Sequence, residues 1–323
     1  MSEGRAERSP NAGYAFVVRS HARIGGIVVP LVVAAVAILA PHAAAKPPAS
    51  AASAADDDGA EEDDNPYATP TPAPAQPRAA TPPPRVQVAE KDGMLLLPGG
   101  HFTMGSADKS TPPNERPTHA VTVAPFWIDR TEVTVGAYRA CVEHHACARP
   151  VKSSATCTYD LDDPELPVSC VRWQDADSYC LSADKRLPTE AEWEFAARGL
   201  HGGRYPWGGF GTSCSFAVTL LREASGKMCV KGRPARVGSH PMGASVWGVL
   251  DLAGNVEEWT ADWYAETYAG TSPRSGASHT LRGGGWLSSP SAARTTSRDW
   301  GSSLEAGPNI GFRCARSDAD KPG

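Results

Sequence analysis

All eight cysteines of this 323-residue chain lie between Cys141 and Cys314. From Gly199 onward, glycine, proline and tryptophan dominate, and neither a helical nor a strand period is sustained. Ordered loops of that length need something to hold them, and disulfides and bound metal are the usual staples. An even cysteine count in an exported chain reads as a disulfide framework. No Cys-x-x-Cys pair occurs, so zinc is the weaker alternative.

The amino terminus sets the compartment. Arg19 and Arg23 precede an apolar run from Ile24 to Ala40, and Ala43-Ala44-Ala45 follows as a small-residue cleavage site. Residues 1–23 read as a positively charged cytoplasmic region and 24–45 as a signal peptide or single-pass anchor. Either reading exports the remainder, periplasmic or secreted, with membrane contact only through this segment if it is not cleaved. Residues 46–90 are rich in Ala and Pro and contain the acidic run Asp56–Asp64. Such a stretch buries too little apolar surface to offset chain entropy and is expected to be a disordered spacer. That leaves 91–317 as the folded domain and 318–323 as a tail. The formal charge of −5 argues against a nucleic-acid partner.

Within the domain, Met94–Gly100 and His101–Gly105 read as two short strands whose Gly-Gly separation suits a hairpin. Ala120–Ile128 reads as a further strand despite Pro125. Thr134 can cap a helix through Tyr138 and Val142, and a second helix runs through Tyr179 and Leu181. Thr189 and Glu192 form a Thr-x-x-Glu capping box for a third. On that helix Trp193, Ala196 and Ala197 share one face, leaving Glu190, Glu194 and Arg198 for water. Its carboxylates read as caps and ion-pair partners.

Four segments occur in a telling order: Lys185–Gly199 (KRLPTEAEWEFAARG), Gly248–Trp259 (GVLDLAGNVEEW), Leu281–Trp286 (LRGGGW) and Gly311–Cys314 (GFRC). Together they resemble the formylglycine-generating enzyme, or sulfatase-modifying factor, family. The resemblance covers about Met94 to Arg316. It implies an α+β, C-type-lectin-like fold with low regular secondary structure, short sheets, a few helices and disulfide staples. It also implies a Cys180–Cys314 disulfide. Cys141–Cys147, Cys214–Cys229 and Cys157–Cys170 are hypotheses from spacing, one of fifteen arrangements open to six cysteines.

The segment Asp251–Trp259 has metal-binding logic, with two carboxylates seven residues apart around a Gly-containing turn. Calcium takes oxygen ligands from carboxylates and backbone carbonyls. The matching loop of the family binds calcium, which carries over to the Asp251 side chain, the Gly254 and Val256 carbonyls, and the Glu258 side chain.

The family's oxidases use two cysteines, thought to bind copper, just after the Arg-Gly-Gly segment. Here those positions fall at Ser288 and Ala293. Cu(I) is soft and prefers sulfur, so copper is not expected. The resulting expectation is an exported domain without the formylglycine oxidase reaction. It would bind a peptide, protein or glycan in a groove around Trp286, Ser288 and Arg294. The alternative is an oxidoreductase of another branch, acting on a peptide or in siderophore maturation.

Overall fold

The computed structural model describes residues 84–150, 154–200, 202–209, 211–270 and 273–318. The segment 24–45 and most of the 46–90 linker lie outside the described residues. Among the described residues, no helix is long and apolar enough to cross a membrane.

Among the described residues, three short sheets and three α-helices make an α+β fold. β1 (Glu90–Lys91), β2 (Met94–Leu97), β5 (Phe126–Asp129) and β10 (Ala315–Ser317) form one antiparallel sheet in the order β1-β2-β5-β10. β3 (Gly100–Met104) and β4 (His119–Val123) pair only with each other. β6 (Glu257–Trp263), β7 (Ser278–Arg282), β8 (Arg298–Ser302) and β9 (Ile310–Gly311) form a third sheet, ordered β8-β7-β6-β9, in which β9 runs parallel to β6. The helices are α1 (Val135–Glu143), α2 (Trp173–Ser182) and α3 (Glu190–Arg198).

Local chemistry explains the helix starts. The Thr134 hydroxyl accepts from Ala137 N at the start of α1. Thr189 and Glu192 cap α3 reciprocally: Glu192 N donates to Thr189 Oγ1 (3.1 Å), and Thr189 N donates to Glu192 Oε2 (2.8 Å). One apolar core lies between α3 and the first two sheets, around Phe102, Phe126, Phe195 and Trp247. A second lies between α1, α2 and the third sheet, around Tyr138, Trp259 and Phe312.

Four expectations are corrected. The proposed hairpin does not form, because β2 and β3 enter different sheets. Gly99 and Gly100 take φ of 65° and 139°, and a Cβ at Gly99 would sit 2.3 Å from Val123 O. Ala120–Ile128 is not one strand. β4 and β5 are separate, with Pro125, which has no N–H to donate, between them. The folded unit begins before residue 91, since Val86 N donates to Val246 O (2.8 Å) and Val88 packs on the first core. Glu190 and Glu194 do not face water: they are 5% and 0% exposed, because buried arginines on β7 and β8 meet them.

The four disulfides are Cys141–Cys147, Cys157–Cys170, Cys180–Cys314 and Cys214–Cys229. All eight cysteines are therefore bonded. Cys180–Cys314 ties α2 to the segment before β10 and closes the longest loop, with a separation of 134 residues.

Candidate functional site

The arginines of β7 and β8 anchor the loops that surround the candidate site. Arg282 is fully buried and donates to Glu194 Oε2 (2.5 Å) and to the carbonyls of Thr295 (2.9 Å), Thr296 (3.2 Å) and Ser297 (2.7 Å). One side chain thus fixes the turn between Arg294 and β8. Arg298 pairs with Glu190 through Nε (2.5 Å) and Nη2 (2.9 Å). Glu194 also accepts from Gly105 N (2.8 Å) and Arg198 (2.7 Å), joining α3 to the end of β3. These fork-shaped charge pairs are the strong kind of hydrogen bond, and they orient neighbouring loops.

The three residues expected to form one groove separate. Trp286 is 4% exposed, and its Nε1 donates to Pro308 O (2.9 Å), so it is a packing residue rather than a groove wall. The indole is amphipathic, and burying it against an available carbonyl satisfies both its parts. Ser288 is part-exposed, but its Oγ accepts from Gly285 N (3.0 Å) and Asn309 Nδ2 (3.2 Å). It holds the turn after β7. Arg294 does line a cavity, while its guanidinium is bound to buried Glu115 at 2.8 and 2.6 Å. Ala293 is 1% exposed, in an apolar cluster with Tyr205, Trp207, Ala217 and Ala253. Tyr205 stacks on Trp207 with ring centroids 4.9 Å apart.

The groove is formed by three cavities that share residues. One, of about 550 Å³, is lined by Ser106, Asp108, Thr111, Arg204, Ser291 and Arg294 among others. Ser106 also lines a second, of about 440 Å³, with Pro113, Arg116, Pro117 and Thr267. Thr267 continues into a third, smaller and more enclosed, walled by His119, Asp262, Trp263, Tyr268, Glu190 and Arg298. Arg198 and Arg294 are paired with carboxylates, whereas exposed Arg204 has no ion-pair partner among the described residues. The Asp108 carboxyl is held below its usual range by hydrogen bonds from Ser110.

The Asp251–Trp259 segment is a turn that runs into β6. Asp251, Gly254 and Asn255 take φ of 59°, 79° and 64°. A Cβ at Gly254 would approach Val218 O to 2.4 Å, so this turn requires glycine. Asp251 Oδ2 accepts from Gly238 N (2.6 Å). Its carboxyl lies within hydrogen-bonding reach of Glu132, a residue that spacing did not single out. Glu132 is held by Asn255 Nδ2 (3.2 Å) and Val256 N (3.4 Å). Burial first, then the charge of Asp251, pushes the Glu132 carboxyl well up; burial likewise raises Asp251. Glu258 is committed elsewhere. Its oxygens accept from Arg313 Nε (2.7 Å), Arg313 Nη2 (2.7 Å) and Trp193 Nε1 (2.8 Å).

Three buried carboxylates, Glu132, Asp251 and Glu258, therefore share one permanent cation, Arg313. Nearby His240 does not close the deficit, because burial pushes its imidazole down toward the neutral form. A divalent cation would balance the cluster, and the donor set is all oxygen, which suits calcium.

Residues 79–318 match the family described as the sulfatase-modifying factor enzyme 1-like domain. The chain belongs to that family. Among sulfatase-modifying-factor relatives, the formylglycine-generating enzyme of Streptomyces coelicolor is 34% identical over 306 residues, covering 77% of this chain and 96% of that protein. The inactive C-alpha-formylglycine-generating enzyme 2 of Mus musculus is 34% identical over 293 residues, covering 74% of this chain and 91% of that one. The solved structure of PvdO from Pseudomonas aeruginosa superposes with a TM-score of 0.60 at 30% identity, covering 71% of this chain and all of PvdO.

Of the residues read from the sequence of this family member, Asp251 sits in a positive-φ turn and Arg294 lines a cavity. Sequence reading missed Glu115, Glu132, Arg282 and Arg298, each defined by a partner distant in the chain. The signal for Glu132 was a lone acid beside Val133, with no spacing to tie it to the loop.

Proposed function

We propose that this chain is a binding member of the sulfatase-modifying factor family that takes an extended peptide in the groove running from Arg294 to Asp262, without oxidising it. One observation carries the reading. The two positions that the oxidases fill with cysteine hold Ser288, whose hydroxyl is tied into a turn, and Ala293, whose methyl is sealed in an apolar cluster. Every cysteine of the chain is in a disulfide, so no thiolate is left to hold copper. Similarity to the inactive mouse protein supports the same conclusion.

The groove's shape favours a peptide. Its three cavities adjoin, sharing Ser106 and Thr267 in their walls. The cavity beside Arg294 is lined by hydroxyls and guanidinium groups, with no aromatic platform for a sugar ring among the described residues. Exposed Arg204 offers a free cation to a carboxylate or carbonyl of the ligand. We further propose that calcium is held by Asp251, the Gly254 and Val256 carbonyls and Glu132, since the Glu258 oxygens are taken by Arg313 and Trp193. Its role is structural: it neutralises the buried acids and so fixes the turn between Leu250 and β6. The four disulfides suit an oxidising compartment outside the cytoplasm.

The test is equilibrium binding of a fluorescent library of random decapeptides to the full chain, repeated with Arg204→Glu. Saturable binding that Arg204→Glu weakens supports the reading. Absence of peptide binding, or peptide oxidation by the chain, overturns it.

A further inference from the structure

The most enclosed part of the groove is the cavity of about 110 Å³ between β4, β6 and the start of α3. Its charges do not cancel. Glu190 is satisfied: it accepts both Arg298 donors and the Tyr268 hydroxyl (3.0 Å). Arg298 is equally committed, because its Nη1 donates to Asn114 O (2.7 Å) and Ala265 O (2.9 Å). It has little left to offer an anionic ligand. Asp262, in contrast, accepts only Glu190 N (2.6 Å) at Oδ2, and no side chain donates to it among the described residues. His119 faces the same space, and its Nδ1 is buried without a partner. The cavity thus holds one carboxylate that no side chain pairs, with the rings of His119, Tyr268 and Trp263 as walls.

We propose that this pocket takes a primary ammonium group, the side chain of a lysine on a peptide lying in the groove. An ammonium brings three donors and a compact charge. Asp262 Oδ1 supplies an open acceptor, and the alkyl stem can lie along the ring edges, leaving through Thr267 toward the wider groove. A guanidinium needs both oxygens of one carboxylate; Glu190 is already held by Arg298, and Asp262 Oδ2 already accepts from Glu190 N. The inference rests on the groove reading for the source of the lysine, and on the pocket alone for ammonium recognition.

The test uses the full chain and four probes: n-butylammonium, an alanine-rich octapeptide with a central lysine, and the same peptide with norleucine or arginine instead. Calorimetric titration is expected to give the lysine peptide the tightest binding, with norleucine and arginine weaker by about tenfold or more. Asp262→Asn should remove that preference while leaving the melting temperature unchanged, since an Asn carbonyl still accepts from Glu190 N. Thr267→Trp, an exposed substitution at the mouth, provides a second block should Asp262→Asn fail to fold. Equal binding of the lysine and norleucine peptides overturns the pocket and leaves the groove reading standing. If n-butylammonium binds as tightly as the lysine peptide and Asp262→Asn abolishes both, the ammonium site stands and the peptide source falls. Lysine preference that survives both substitutions overturns the proposal.

Discussion

Glu257 opens β6 at 8% exposure, and no side chain donates to its carboxylate among the described residues. Burial, then the like charges of Asp299 and Glu305, pushes its carboxyl from the ordinary 4.5 to about 8. In the unfolded chain the same group ionises near 4.5. Between those values the folded state keeps a proton that the unfolded state has released, so stability falls as pH rises. The slope is about 1.4 kcal/mol per pH unit, or roughly 5 kcal/mol across the whole window. Below pH 4.5 the group is neutral in both states and contributes no pH dependence. Glu257→Gln replaces the acid with a neutral group of the same shape. Its stability relative to the parent should therefore climb steadily from pH 4.5 and level off near pH 8. The assay is urea unfolding followed by tryptophan fluorescence, parent and variant side by side, at closely spaced pH values. Taking the difference cancels the titrating groups that do not interact with Glu257. Two parallel stability curves, or a variant that loses stability at the alkaline end, would refute the reasoning.

Three further outcomes are expected. Arg282→Met leaves Glu194 buried without its main partner and strips the donor from three loop carbonyls; it should cost about 3–5 kcal/mol in urea unfolding. Replacing both Cys180 and Cys314 by alanine releases a 134-residue loop, and loop-closure entropy sets the loss near 5 kcal/mol, read as a fall in the urea midpoint. Chelation should lower the melting temperature, and added calcium should restore it. Because Glu132 and Asp251 are both pushed up when no ion balances them, protons compete with the metal, and calorimetric calcium affinity should weaken as pH falls.

What the sequence made legible was local. The capping box of Thr189 and Glu192 spans four residues, and its geometry follows from helix chemistry alone. The same helix shows where local reading stops. Glu194 looks solvated by its position opposite Trp193, yet it is fully buried by Arg282, 88 residues away. Glu190 is buried by Arg298, 108 residues away. Neither pairing has a periodic signature. Trp286 fails as a groove residue for a similar reason: its direction depends on Pro308 O, which only the folded chain brings near. Gly99-Gly100 shows a different failure. A glycine pair marks a turn but does not choose the partner strand, and here β2 pairs with β5 while β3 pairs with β4.

The central claim, that this sulfatase-modifying-factor fold has kept its groove and lost its oxidase chemistry, has a direct test. The full chain is incubated in air with copper and a cysteine-containing sulfatase-type peptide, and the peptide is weighed by mass spectrometry. An unchanged peptide mass, under conditions in which the Streptomyces coelicolor enzyme converts the cysteine, is the expected result. Multiple turnovers to formylglycine by this chain would contradict the claim and show that the reaction proceeds without free cysteines in the enzyme.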